Sequence, residues 1–188
     1  VEQPFLFTDV SGADWFYDEV QYAYANGIMT GKDADTFAPY ESLARAQFAV
    51  ILHRMNDEPE VAYADTFRDV GKDIWYTDAI LWAADADVVT GYSNGNFGPA
   101  DKINREQMAT MMYRYAEYKG YSLEGGVDYS QYEDAANVSD FAQEAMSWAV
   151  GNGIITGKYG ETQLDPQGEA SRAESATIIM RFIETFGE

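Results

Sequence analysis

The chain has 188 residues, 46% hydrophobic and 15% aromatic, with 32 acidic side chains against 12 basic ones and a net charge of −20. That apolar share suffices for a packed core and excludes a disordered polyanion. The charge excludes nucleic acid, whose phosphates need a positive footprint, and argues against anionic membranes. Absent cysteine removes disulfides and thiolate metal sites.

In chain order, the first predicted helix carries Phe16, Val20, Ala23, Tyr24 and Gly27, an apolar stripe at helical period that stops near glycine. A loop rich in turn formers follows, and then a second helix with Phe48, Ile51, Leu52 and Met55 on one face. Sixty residues on, without a gap, the pair returns: Tyr76, Ile80, Ala83 and Ala84, then Met108, Met111, Met112 and Tyr115. A third pair carries Ala142, Met146, Ala149 and Val150, with a stop near Gly153, then Ile178, Ile179 and Phe182. Phe7, Asp9, Trp15, Thr30, Gly31, Phe37, Pro39, Arg45 and Arg54 recur as Phe67, Asp69, Trp75, Thr90, Gly91, Phe97, Pro99, Arg105 and Arg114. The third copy supplies Asp134, Phe141, Thr156, Gly157, Leu164, Pro166, Arg172 and Arg181. One such unit cannot bury its stripe alone, so the copies must stack, in an open solenoid or a closed ring of three. The aromatic and methionine stripes are therefore read as core. No apolar run approaches a membrane span, and the first residues lack the basic and apolar parts of a signal peptide.

The scarce cations are the informative residues. Of seven arginines, six fall at two equivalent positions per copy: Arg45, Arg105 and Arg172, then Arg54, Arg114 and Arg181. The first set opens the second helix of each unit. Ser171 with Glu174 forms a capping box, Asn104 with Gln107 a similar pair, and Ala44 cannot cap. A cation at a helix N-terminus is unfavourable by roughly 0.3–1 kcal/mol when exposed, so each of these arginines calls for an anionic partner. That partner is an internal carboxylate, or else a ligand anion held jointly by the guanidinium and free helix N–H groups. In the second case the glycine of the upstream loop would let the ligand approach the backbone. The second set, nine residues further on, is expected to bridge to acids within the fold.

The strings Phe67-Arg68-Asp69-Val70, Trp75, Val89-Thr90-Gly91-Tyr92, Asn96-Phe97-Gly98-Pro99 and Ile103-Asn104-Arg105-Glu106-Gln107 resemble the S-layer homology repeat in order and spacing. The likeness covers nearly the whole chain as a set of three. It implies an all-α fold of three helix-loop-helix repeats in a pseudo-threefold spindle with a central three-helix bundle and grooves between neighbours. The repeats would span 1–56, 67–116 and 131–183, with linkers at 57–66 and 117–130. It also implies a non-catalytic anchor at the bacterial cell surface, part of a larger surface protein. Its partner would be an anionic secondary cell-wall polysaccharide, with a pyruvylated amino sugar as ligand and no cofactor. The family's Thr-Arg-Ala-Glu signature maps to 44–47, 104–107 and 171–174. The implied ligand-binding residues are Arg45, Arg105 and Arg172, Gly31, Gly91 and Gly157, and Gln47, Gln107 and Glu174. The chain departs from the pattern at Ala44 and Gln47, which should fray the first of these helix starts and weaken its site. Phe141 replaces a tryptophan in the third copy, whose loop is reshaped. The site using Arg105 is expected to be the best preserved.

Three rival readings remain in view. A glycoside hydrolase would need a carboxylate pair, but acids are too plentiful to single one out, and His53, the one histidine, reads as a surface residue beside Arg54. Asp33-Ala34-Asp35 begins like a calcium loop, but Phe37 occupies the next ligand position. A structural or protein-binding scaffold is the runner-up, since loop aromatics such as Tyr92 and Tyr159 suit a protein partner too.

Overall fold

A computed structural model describes residues 6–187, so the first five positions of the 1–56 repeat lie outside the described residues. The fold is all-α. Helices α1 (Tyr17–Ala25) and α2 (Arg45–Met55) form the first pair, α3 (Thr77–Asp85) and α4 (Arg105–Lys119) the second, and α5 (Gln143–Gly151) and α6 (Arg172–Phe186) the third. Two 3-10 turns, Ala135–Asn137 and Asp140–Ala142, lead into α5. The stripes read from the sequence point inward: Phe16, Val20, Ala23, Phe48, Ile51, Leu52, Ile80, Ala83, Met108, Met111, Met112, Tyr115, Met146, Ile178, Ile179 and Phe182 are buried. Met55, Tyr76, Ala84 and Val150 are half-buried, and Tyr24 and Gly27, at the end of α1, are exposed.

The helices pair between repeats rather than within them. α3 packs on α2, α5 on α4, and α1 on α6. The last pairing joins the first repeat to the third and closes the order into a cycle. The same cycle runs through the backbone: the Leu43 N–H donates to Ala170 O, that of Ala170 to Ile103 O, and that of Ile103 to Leu43 O. All three residues are fully buried. Isolated antiparallel bridges flank this ring, Ala44 with Lys102, Asn104 with Glu169 and Ser42 with Ser171. Among the described residues no strand is longer than such a bridge.

A buried carboxylate adds to one of these contacts. Glu106, on α4, accepts from both the N–H and the hydroxyl of Ser139 ahead of α5, at 2.9 and 2.8 Å. His53 is also buried, contrary to the surface position expected for it, because α3 covers that face of α2. Its Nε2 lies 2.9 Å from Pro59 O and its ring centroid 5.4 Å from that of Trp82.

The helices overrun the bounds expected for the repeats, α4 to Lys119 and α6 to Phe186. Past α4, the segment 120–130 straps α5: Val127 N–H donates to Ser147 O, and Asn152 and Trp148 donate to Glu124 O and Ser122 O. Gly151, inside α5, is required there because a methyl group would collide with Gly125 O.

Candidate functional site

Each loop between the two helices of a repeat is fixed by one carboxylate. Asp9 accepts from the N–H groups of Phe37 and Ala38, Asp69 from those of Phe97 and Gly98, and Asp134 from those of Leu164 and Asp165, all at 2.7–2.9 Å. So pinned, the loop turns its carbonyls toward the preceding repeat, where they meet a helix start. The first two amides of α2 donate to Asp101 O and Pro99 O, those of α4 to Gly168 O and Pro166 O, and those of α6 to Glu41 O and Pro39 O.

These bonds change the anion pocket expected from the sequence, since the helix N–H groups assigned to a ligand are already taken by loop carbonyls. They also hold the α2 start firmly, so the missing cap at Ala44 does not fray it. The third amide is served by a side chain in α4 and α6, from Asn104 and Ser171, but not in α2.

The arginines that open these helices are likewise more than nine-tenths buried. Arg105 donates through Nε to Leu164 O and through Nη2 to Thr156 O, both at 2.7 Å. Arg172 repeats this on Phe37 O and Thr30 O at 2.7 and 2.6 Å. Arg45 donates Nε to Phe97 O at 3.0 Å, and its guanidinium carbon lies 4.7 Å from the ring centres of both Tyr92 and Phe97. Burial lowers all three guanidinium pKa values from their usual range, and nearby acids oppose the shift. Among the described residues, the internal carboxylate expected as a partner meets only Arg105, with Glu174 Oε2 3.7 Å from Nη1. The principal partners are neutral carbonyls of the next repeat, and each arginine stitches two repeats together.

The expected site residues nevertheless converge on three grooves. Groove 1 (about 270 Å³) holds Gly31 and Gln47 with Arg172; groove 2 (about 310 Å³) holds Gly91 and Gln107 with Arg45; groove 3 (about 210 Å³) holds Gly157 and Glu174 with Arg105. Every groove takes its loop and second helix from one repeat, its buried arginine from the preceding repeat, and an aromatic wall from the following one. The walls are Trp75, Phe141 and Trp15, exposed by 66%, 58% and 58%. A ring so open to water, facing a cationic cleft, leaves an aromatic face available for stacking.

The glycines, which line the grooves as expected for ligand-binding residues, are also demanded by the fold itself. A Cβ on Gly31 would lie 2.5 Å from the Phe7 ring, one on Gly91 2.5 Å from the Phe67 ring, and one on Gly157 2.8 Å from Glu161 Cα. They are crowded by the protein itself, and at Gly91 a φ of +70° adds a backbone demand.

Of the second set of arginines, expected to bridge to acids within the fold, only Arg54 does so among the described residues. Arg54, Arg114 and Arg181 line grooves 1, 2 and 3 in turn. Arg54 does approach Glu58, at 3.8 Å, while Arg181 donates to the Thr156 hydroxyl at 3.3 Å. Lys32 and Lys102 join groove 1 and Lys158 joins groove 3. Nine of the 12 basic side chains therefore line the grooves, against Glu41 and Glu174 among the described acids. The recurrence of Trp15 and Trp75 just outside the helical stripe was the available signal for the walls. Nothing in the sequence marked the lysines. Among the described residues no group of three or more acidic or histidine side chains is placed to hold a metal ion.

The chain is 33% identical over 93% of its length to an endoglucanase of Bacillus sp. (strain KSM-635), of which it spans 18%. It is 30% identical over 97% of its length to S-layer protein EA1 of Bacillus anthracis, and over 84% to the cellulosome-anchoring protein of Acetivibrio thermocellus, spanning 20% and 35% of those proteins. The profile of the S-layer homology domain matches it three times, at residues 6–49, 66–109 and 131–176. The chain belongs to the S-layer homology domain family.

Proposed function

We propose that the three repeats act together as a non-catalytic cell-surface anchor that binds an anionic secondary cell-wall polysaccharide without a covalent bond. The observation that carries this reading is the gathering of nine cations, from a chain of net charge −20, into three grooves that each present an exposed aromatic ring. An aromatic face suits the apolar face of a sugar ring, and arginine and lysine suit a carboxylate such as that of a pyruvate ketal. The sites named for this role are Arg45, Arg105 and Arg172 at the groove floors, with Gln47, Gln107 and Glu174 beside them. Three weak sites on one polymer gain by avidity, of order 10²–10⁴ over a single site where the geometry permits. The anchored cargo lies in the remainder of a larger surface protein.

The test is sedimentation of the chain with Gram-positive cell walls, either intact or chemically stripped of secondary polysaccharide. The variant to compare is Trp15→Ala/Trp75→Ala/Phe141→Ala, which removes exposed rings and leaves the buried arginines in place. Recovery is expected with intact wall only, and the variant should lose most of it. Equal recovery from both walls, unchanged in the variant, would remove the polysaccharide reading. Tyr40 and Tyr159, exposed by 72% and 70% outside the grooves, would then favour a protein partner.

A further inference from the structure

The three grooves share a plan but differ in charge, and the difference traces to one register position. The backbone junction sets residue 44, 104 or 171 of one repeat against residue 102, 169 or 42 of the next. At groove 1 the incoming side chain is Lys102, which lines the groove. The equivalent residues, Glu169 and Ser42, do not line grooves 2 and 3; Ser42 lines groove 1 and donates its hydroxyl to Glu169. Among the described residues that line it, groove 1 gathers Lys32, Arg54, Lys102 and Arg172 against Glu41. In groove 1 itself Lys32 is ion-paired with Glu41 and Arg54 lies 3.8 Å from Glu58, which leaves Lys102 as a groove cation without an ion pair among the described residues. In groove 3, Lys158 lies 3.4 Å from Glu174 and 3.2 Å from Asp165, and Arg105 also faces Glu174. In groove 2, Tyr92 occupies the position of Lys32 and Lys158, roofs Arg45, and is tied by its hydroxyl to Asp101 at 2.9 Å.

We infer that groove 1 is the tight anion site of this chain and that Lys102, donated by the second repeat, sets its rank over the other two. This rests on the polysaccharide reading above and names which groove takes the carboxylate-bearing sugar first. Among the described residues the Lys102 ammonium bonds only Ser42 O, at 3.5 Å, so it can turn to a ligand at little cost to the fold.

Tryptophan placement makes the ranking measurable. Trp75 walls groove 1, Trp15 walls groove 3, and Trp82 and Trp148 are buried controls. Indole N–H shifts of the 15N-labelled chain would be followed during titration with a pyruvylated hexosamine methyl glycoside. The ketal methyl ester of that glycoside serves as the uncharged control.

Trp75 should respond at about tenfold lower sugar concentration than Trp15, the value of roughly one charged hydrogen bond. Lys102→Ser, which installs the side chain native at the equivalent position, should bring the two within about threefold. Phe141→Trp, reporting groove 2, should respond later than Trp75. Trp82 and Trp148 should hold their shifts throughout. A response at Trp15 that precedes or coincides with that at Trp75, or a gap that survives Lys102→Ser, overturns the ranking while leaving the polysaccharide reading intact. Silence at every groove reporter overturns both.

Discussion

Arg105 shows how one side chain can belong to a groove and still be structural. It carries charge into groove 3 while its Nε and Nη2 hold Leu164 O and Thr156 O. Removing it would leave both carbonyls without their donors and take a charged hydrogen bond from each. Arg105→Ala and Arg172→Ala are each expected to destabilise the fold by about 3 kcal/mol in urea unfolding. Arg45→Ala, with one carbonyl and two ring contacts to lose, should cost about 2 kcal/mol. An equal loss at all three would contradict the bonding described. Loss of wall binding in these variants would therefore report unfolding as readily as a lost contact, whereas the exposed rings and the arginines at 54, 114 and 181 separate the two effects. The sequence marked Arg105 by its rarity and recurrence, which is why it was singled out. Its partners lie 51 and 59 residues away, in backbone carbonyls that carry no side-chain signature, so its role there could not be read.

At the scale of the element, the loops are made rigid by Asp9, Asp69 and Asp134, and the helix starts are completed from outside. Asp69→Asn keeps one accepting oxygen where the carboxylate uses two, for Phe97 N–H at 2.7 Å and Gly98 N–H at 2.8 Å. A loss of about 1–2 kcal/mol is expected, measurable as a lower urea midpoint with an unchanged slope. Ala44 already has the extended backbone of a cap residue, with φ −80° and ψ 153°. Ala44→Ser should therefore raise stability by about 1 kcal/mol, and Ser171→Ala should lower it by a similar amount. A null result for Ala44→Ser would mean that the third amide of α2 is already satisfied. Helix existence, the buried faces and the arginine that opens each second helix were all legible, because period and cap chemistry are local. The firmness of α2 was not, since it is supplied by Pro99 O and Asp101 O of another repeat.

At the scale of the whole molecule, the helix pairing sets what can be removed. α1 packs on α6 and α5 on α4, so deleting everything after residue 130 uncovers one face in each of the first two repeats. The truncated chain should lose its cooperative thermal transition, as followed by circular dichroism; a sharp transition would mean that two repeats suffice. Binding should also weaken only modestly from low to physiological salt. The groove cations act at short range while the acidic surface repels an acidic polymer at distances that salt screens. A steep loss on sedimentation over that range would contradict this. Three copies with grooves between neighbours were legible from the repeat and its family likeness. Which neighbour donates the arginine and which the ring was not, because a repeated sequence is silent about the direction in which its copies dock.

The junction at Leu43, Ile103 and Ala170 has a combinatorial consequence. Three units in a ring admit two cyclic orders. Rotating the order of the repeats in a gene leaves all three junctions as they are, whereas reversing it replaces all three. In the reversed order Glu169 would face the first repeat, and Lys102 would move to the groove that holds Lys158 and Glu174. Recombination among the repeats could thus redistribute the charges of the grooves without altering a single codon.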